Sequence, residues 1–244
     1  MIKYLIGISL ALGSFSAQAA DLPYRKAPVQ QQQVIVTDSW TGFYIGFHGG
    51  YGWADFSPSV DIAPFEDPKT KGWVLGGHAG YMWQAGMFVG GLEVDYSVAD
   101  MKHDQSITVG LENTTIMLPP GTTSFSTKVE SLASVRARAG FVLGQTFLLY
   151  GTGGLAWART EAAIAYLPIE GTGFAATAVA NNFGWVAGIG GEWKIMSNLM
   201  FRAEFLHYDF GGSTYTFTGV GAGMAGMKSD LVVNVARGGL SYKF

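Results

Sequence analysis

The sequence predicts an all-β fold, an eight-stranded antiparallel transmembrane β-barrel with short turns at one end and four long loops at the other. Three observations predict it. Eight segments alternate large apolar residues with small or polar ones at a period of two, which marks strands with two unlike environments. The connections alternate short and long, the asymmetry of bacterial transmembrane barrels. The composition joins 35 glycines and 14% aromatic residues to only 14% charged residues and no cysteine, where an ordinary soluble domain carries about 25% charged residues. Glycine alone would be compatible with disorder, but seven Trp, eleven Tyr and sixteen Phe spread along the chain argue against it.

The N-terminus is expected to lie outside the fold. A basic start (Met1-Ile2-Lys3), an apolar stretch from Tyr4 to Phe15 and the small-x-small site Ala17-Gln18-Ala19 have the layout of a secretory signal peptide over residues 1–19. The polar Ser14, Ser16 and Gln18 argue against an uncleaved anchor. Loss of Lys3 leaves a net charge of −4, with no basic footprint for nucleic acid. Residues 20–41, with Pro23, Pro28 and the run Gln30–Gln33, form a polar segment without apolar periodicity, read as a periplasmic tail or plain linker. The barrel is expected over 42–244.

The first strand begins at Gly42, with Phe43, Ile45, Phe47, Tyr51 and Trp53 on one face and Tyr44, Gly46, His48, Gly50 and Gly52 on the other. Gly72–Gln84 presents Trp73, Leu75, Ala79, Tyr81 and Trp83 outward and His78 inward. Met87–Ala99 presents Phe88, Leu92, Val94, Tyr96 and Val98 outward and Glu93, Asp95 and Ser97 inward. Lys128–Leu143 places Val129, Ala133, Val135, Ala137, Ala139 and Phe141 outward, with Lys128, Glu130, Ser134, Arg136 and Arg138 inward. Phe147–Arg159 is a fifth strand whose two faces are both apolar, so its parity stays open. Asn182–Lys194 sends Phe183, Trp185, Ala187, Ile189 and Trp193 outward and Glu192 and Lys194 inward. Leu199–Phe210 sends Phe201, Ala203 and Phe205 outward and Arg202 and Glu204 inward. Asp230–Phe244 ends with Ala236, Gly238, Leu240, Tyr242 and Phe244 outward and Arg237, Ser241 and Lys243 inward.

Tight turns fall at Gln84–Gly86, Gly144–Thr146 and Met196–Asn198. Long loops are expected at Ala54–Lys71, Met101–Thr127, Thr160–Asn181 and Gly211–Ser229. Each strand exceeds the about 9–11 tilted residues that cross a bilayer. A helical alternative rests on two charge-free stretches, 139–158 and 171–191, but both are dense in glycine and broken by turn residues. A soluble eight-stranded barrel would place its apolar face inside. Here the minority face is the charged one, so the outer face of Trp, Phe, Tyr and Val needs lipid around it. In hydrocarbon, every backbone polar group must be paired internally, which an edge-free barrel achieves.

Several blocks also carry a resemblance: Ala20-Asp21-Leu22-Pro23, Trp40–Gly46, Val135–Gly140, Leu149–Ala156 and the ending Gly239–Phe244. Over essentially the whole chain the sequence resembles the RopB-like small outer-membrane proteins of alphaproteobacteria, within the OmpA-like barrel superfamily. That resemblance implies location in the cell outer membrane, a porin-family label, and roles in envelope integrity and host or surface contact through the loops. It brings no cofactor, because haem binding in some relatives has no matching residues here. Phe244, with Tyr242 and Leu240 at two-residue steps, resembles the signal read by the outer-membrane assembly machinery, and it also reads as a lipid-facing strand end.

The candidate functional groups are of three kinds. Glu93, Asp95, Arg136, Arg138, Glu192, Arg202, Glu204 and Arg237 should share the lumen, where unpaired charge is costly. They are expected to link into a polar plug or to gate a narrow pore. His48 and His78 face inward on adjacent strands, with Glu93 a conceivable third metal ligand, but two histidines fall short of a zinc site. Outward aromatics form two girdles, Tyr51, Trp53, Trp73 and Tyr96 at the loop end and Trp83, Phe88, Trp193, Tyr242 and Phe244 at the turn end, matching the preference of Tyr and Trp for membrane interfaces. No catalytic signature emerges. G-x-S-x-G, a phosphate loop and a cysteine nucleophile are all missing from the sequence, and His103, Asp104 and Ser106 are neighbours in a loop rather than a triad. The reading is a structural and surface-contact barrel, with a small diffusion pore or a surface ligand-binder as alternatives, and no enzyme.

Overall fold

The structure, a computed structural model, describes residues 39–58, 69–109, 120–216, 218–219 and 227–244. The expected signal peptide and the polar segment as far as residue 38 lie outside these residues. The chain forms β1 (Gly42–Pro58), β2 (Lys69–Ala85), β3 (Phe88–Val109), β4 (Gly121–Leu143), β5 (Phe147–Pro168), β6 (Phe174–Lys194), β7 (Leu199–Tyr215), a two-residue β8 (Thr218–Gly219) and β9 (Met227–Lys243). Consecutive long strands pair antiparallel, β7 pairs β9, and β9 returns to β1, so eight long strands close a ring while β8 adds only to β6. No helix occurs among the described residues. At the closing seam, Ile45 lies opposite Tyr242 and Phe47 opposite Leu240.

Period-two alternation decides which side chains face lipid. Phe43, Ile45, Phe47, Leu75, Leu92, Val94, Phe183, Ile189 and Phe201 are exposed, while Tyr44, His48, Val74, Glu93, Asn182 and Arg202 beside them are buried. The fifth strand follows the same rule. Leu148, Tyr150 and Thr152 turn inward and Phe147, Leu149, Leu155 and Trp157 outward. Register across the turn fixes this parity: Leu143 pairs with Phe147, which sets Thr152 opposite the inward Arg138.

Two features differ from the sequence reading. The strands run far past the expected loop boundaries. β3 and β4 are 22 and 23 residues long, and β5 and β6 are 22 and 21. Most of Met101–Thr127 and Thr160–Asn181 is therefore paired strand. Outside a bilayer the ladder needs no apolar face, so polar β-formers such as Thr108, Thr122 and Thr127 continue it without an apolar alternation to reveal them. Second, β4 changes parity. A register irregularity between Val129 and Ser131 buries Val129 completely and turns Lys128 and Glu130 to the outer surface, the reverse of the expected arrangement. Bulges of this kind add a residue and flip the faces beyond it.

At the turn end, Gly86 and Gly144 adopt left-handed backbone (φ 63° and 69°) that a Cβ would disfavour. Each turn is tied to the next strand. The carbonyl oxygens of Met87, Thr146 and Asn198 accept from the backbone N–H of Val142, Lys194 and Lys243, each at 2.8 Å. The N–H of Phe244 donates to the Phe43 carbonyl at 2.9 Å.

The lumen is layered, and β7 displays the layers in order: Met200, then Arg202 and Glu204, then Leu206, Tyr208 and Phe210, all buried. At the turn end, Trp40, Tyr44, Met82, Val89, Leu148, Tyr150 and Met200 pack together. Toward the loop end, a larger apolar cluster includes Phe56, Val74, Met101, Leu132, Val186, Leu206, Leu231 and Val233. The charged side chains lie between.

Candidate functional site

The middle layer is built by register. Glu93 on β3 lies opposite Arg136 on β4, Glu192 on β6 opposite Arg202 on β7, and Glu204 on β7 opposite Arg237 on β9. Inward parity on five strands thus delivers four guanidinium groups and four carboxylates to one level, counting Asp95 and Arg138, all buried.

Glu93 is the hub. One of its oxygens accepts from Tyr44 Oη at 2.7 Å, Arg202 Nη2 at 2.6 Å and Arg138 Nη1 at 3.1 Å, and the other accepts from Arg136. Glu192 Oε1 receives Arg138 Nη2 at 2.7 Å and Arg202 Nη2 at 2.9 Å. Glu204 accepts Arg237 Nε at 2.8 Å on one oxygen and Tyr150 Oη at 2.8 Å on the other. Asp95 accepts Arg237 Nη1 at 2.7 Å and the hydroxyl of Ser134, with Arg136 Nε at 3.4 Å. The Arg138 guanidinium also stacks over the Tyr150 ring, 3.8 Å from its centroid, a cation–π contact strengthened by exclusion of water. Removing charges from water costs several kcal/mol per ion, about, and only dense pairing of this kind offsets it.

Two lumen glycines make room for the phenols. A Cβ at Gly80 would overlap the Tyr44 hydroxyl, and one at Gly190 the Tyr150 hydroxyl. The high glycine content is partly this: small inward residues opposite large ones. Sequence reasoning assigned no role to Tyr44, although it placed it inward, and it missed Tyr150 because the parity of β5 stayed open.

His48 and His78 lie side by side, with stacked rings (interplanar angle 22°) and their Nδ1 atoms 3.2 Å apart. Their Nε2 atoms face Ser97 and Ser241 hydroxyls, each at 2.8 Å, and Arg237 Nη1 stands 3.1 Å from His48 Nε2. Both Glu93 oxygens accept from the cations and Tyr44 named above, and the imidazoles bond instead to each other, to Ser97 and Ser241 and to Arg237. Among the described residues, no group of three His, Cys, Asp or Glu is arranged to hold a metal ion.

Trp40 belongs to the barrel mouth. It is completely buried, its backbone N–H donates to Gln84 Oε1 at 2.7 Å, and Lys194 Nζ lies 4.6 Å from its ring centroid. Lys243 Nζ donates to the Ser39 carbonyl at 2.7 Å. A hydropathy pattern could not place it, because a single Trp in a polar run has no period. His103 sits on β3 with the opposite parity from the exposed Asp104 and Ser106, and Ser106 Oγ bonds Ser124 Oγ at 3.0 Å, so the three do not converge. The girdle residues Tyr51, Trp53, Trp73 and Tyr96 at the loop end, and Trp83, Phe88, Trp193, Tyr242 and Phe244 at the turn end, all lie exposed on the outer face.

Comparison with known proteins agrees with this architecture. Residues 7–244 match the family described as outer membrane protein beta-barrel domain. The chain is 30% identical over 255 residues, the full length of both proteins, to a 31 kDa outer-membrane immunogenic protein of Brucella melitensis. It is also 30% identical to a 22 kDa outer membrane protein of Rhizobium leguminosarum, over 76% of this chain and 72% of that one. Among solved structures, it is similar to the outer membrane protein OprG from Pseudomonas aeruginosa, at 16% identity and TM-score 0.47, covering 84% of this chain and 96% of that one. The ring of eight lipid-facing strands, the family match over residues 7–244 and the full-length Brucella relative lead to one conclusion: the chain belongs to the outer membrane protein β-barrel domain family and resides in the outer membrane.

Proposed function

We propose that this protein is a sealed barrel with a structural and surface-contact role in the outer membrane, neither a diffusion pore nor an enzyme. One observation carries the proposal: every charged side chain of the middle layer has an opposite charge within 4 Å across the lumen, and apolar side chains cover the layer on both sides. A solute path would need a continuous polar column. The interior of an eight-stranded barrel is just wide enough to be filled by side chains. Function then falls to what stands outside the wall, namely the lipid-facing girdles and the extended β3–β4 and β5–β6 hairpins. The names of the Brucella relatives call those proteins immunogenic, which supports surface exposure of the same end here.

Planar-bilayer recording tests this. The refolded protein should give no steady, reproducible openings, and regular unitary steps would overturn the sealed reading in favour of the pore. Export fits the same reading, with residues 1–19 removed as a signal peptide, residues 20–41 remaining as a polar periplasmic segment, and Phe244 recognised by the assembly machinery. N-terminal sequencing of protein taken from the membrane should start at Ala20.

A further inference from the structure

The turn-end mouth of the lumen is filled by a residue that does not belong to the wall. Of the side chains packed in the turn-end cluster, Trp40 alone among the described residues lies outside a strand. Its companions Tyr44, Met82, Val89, Leu148 and Met200 sit on β1, β2, β3, β5 and β7, so strands from around the ring contribute to one cluster. The indole is completely buried among them.

Ladder bonds do not hold it there. On the β2 side the last pair of β1 at this end is Gly42 with Met82. Beyond it, side chains take over. The Trp40 backbone N–H donates to Gln84 Oε1 at 2.7 Å, and Thr41 Oγ1 accepts from the Gln84 backbone N–H at 2.9 Å. From the other flank, Lys243 Nζ on β9 donates to the carbonyl oxygens of Ser39 at 2.7 Å and Thr41 at 3.4 Å. The chain leaves the wall at Gly42, whose φ of 147° disfavours a side chain. A Cβ there would also stand 3.0 Å from the Phe244 carbonyl oxygen.

The socket around the ring has a chemical preference. Lys194 Nζ on β6 lies 4.6 Å from the ring centroid, within cation–π reach, and indole is the side-chain ring that attracts a cation best. The indole Nε1 has no hydrogen-bond partner among the described residues. The contacts therefore read the flat apolar body and the π face of the ring, not its N–H. Next to the ring, Leu148 lies opposite Glu192, and Met200 is two residues from Arg202. The socket thus borders the charged layer directly.

We infer that the turn-end mouth is a socket for a flat aromatic ring, filled in cis by Trp40, and that residues 39–41 thereby form a removable stopper of the lumen on that side. The inference deepens the proposed function, whose turn-end cover it locates in one side chain, and it makes no claim about the loop end.

The test uses the full barrel refolded in detergent, with Met200→Cys as a reporter thiol in a chain that has no other cysteine. With Trp40 in place, a small charged methanethiosulfonate should react slowly. Trp40→Ala should raise the rate at least about tenfold, since the thiol no longer waits for a local opening. The same replacement without the reporter should lower the unfolding temperature by about 10 °C. Indole near saturation should recover about half of that loss and slow the thiol again, while leaving the wild type unchanged. Cyclohexanol should do neither. If Trp40→Ala does not refold, Gln84→Leu combined with Lys243→Met keeps the indole but cuts the bonds to residues 39–41, and should raise the reporter's rate in the same direction. A rate that is the same with and without Trp40, or with and without those bonds in the substitute variant, overturns the stopper. Rescue that fails, or that cyclohexanol matches, overturns the aromatic socket. Conductance by the wild type would overturn the sealed reading alone, because labelling and rescue are read in detergent, with no membrane to cross.

Discussion

At the scale of the residue, position relative to the wall decides what a charge is worth. Arg136 and Arg159 are both ion-paired arginines on adjacent strands, but Arg136 is buried among Glu93, Asp95 and Glu204, while Arg159 holds Glu130 on the outer surface. Arg136→Ala leaves buried carboxylates short of a partner and should destabilise the barrel by about 3–5 kcal/mol. Arg159→Ala removes a surface pair and should cost about 1 kcal/mol or less. Urea unfolding of the two variants in detergent, followed by tryptophan fluorescence, measures the contrast, and equal losses would contradict the burial assigned to Arg136. Tyr44→Phe separates packing from hydrogen bonding. The ring stays, and the hydroxyl that donates to Glu93 is lost, at an expected cost of about 1–3 kcal/mol in the same assay.

At the scale of the element, the sequence was most readable where lipid is the solvent. From Phe43 to Phe47, and again from Leu199 to Phe205, lipid demands an apolar residue at every second position, so the faces could be counted directly. Legibility failed for particular reasons. Leu148 and Tyr150 are apolar on the inner face because they cap the charged layer, which hides the alternation of β5. Lys128 and Glu130 moved outward through a local irregularity that leaves no mark in hydropathy. Ser106, Thr108, Thr122 and Ser124 looked like loop, although they form cross-strand hydroxyl pairs at 3.0 Å. The candidate site was legible as a set of charges, but its pairing depends on register, which the sequence does not display. Orientation of the elements can be checked simply, since the chain contains no cysteine. In intact cells, Ser124→Cys on β4 should react with a membrane-impermeant maleimide, and Ser197→Cys at the turn end should react only after the outer membrane is opened. Labelling of Ser197→Cys in intact cells would invert the topology.

At the scale of the whole molecule, stability is expected from a closed hydrogen-bonded ring and a buried ionic layer rather than from disulfides. Buried pairs are screened much less than exposed ones. The unfolding midpoint of the wild type in a non-ionic detergent should therefore shift little between low and moderate salt, and a large shift would show that water and ions reach the network. Ring closure also imposes a schedule. The strand that completes the wall, β9, is the last to be synthesised, and its partner β1 is the first of the eight. Arg237, which holds Asp95 and Glu204, arrives on that strand, and the hub contact of Arg202 with Glu93 spans 109 residues. Until the final residues emerge, no part of the chain can finish its wall or shelter its charges, so a chain stalled on the ribosome or cut short by a late stop codon has nothing native to fall back on and should be cleared by proteases rather than accumulate as a partial barrel.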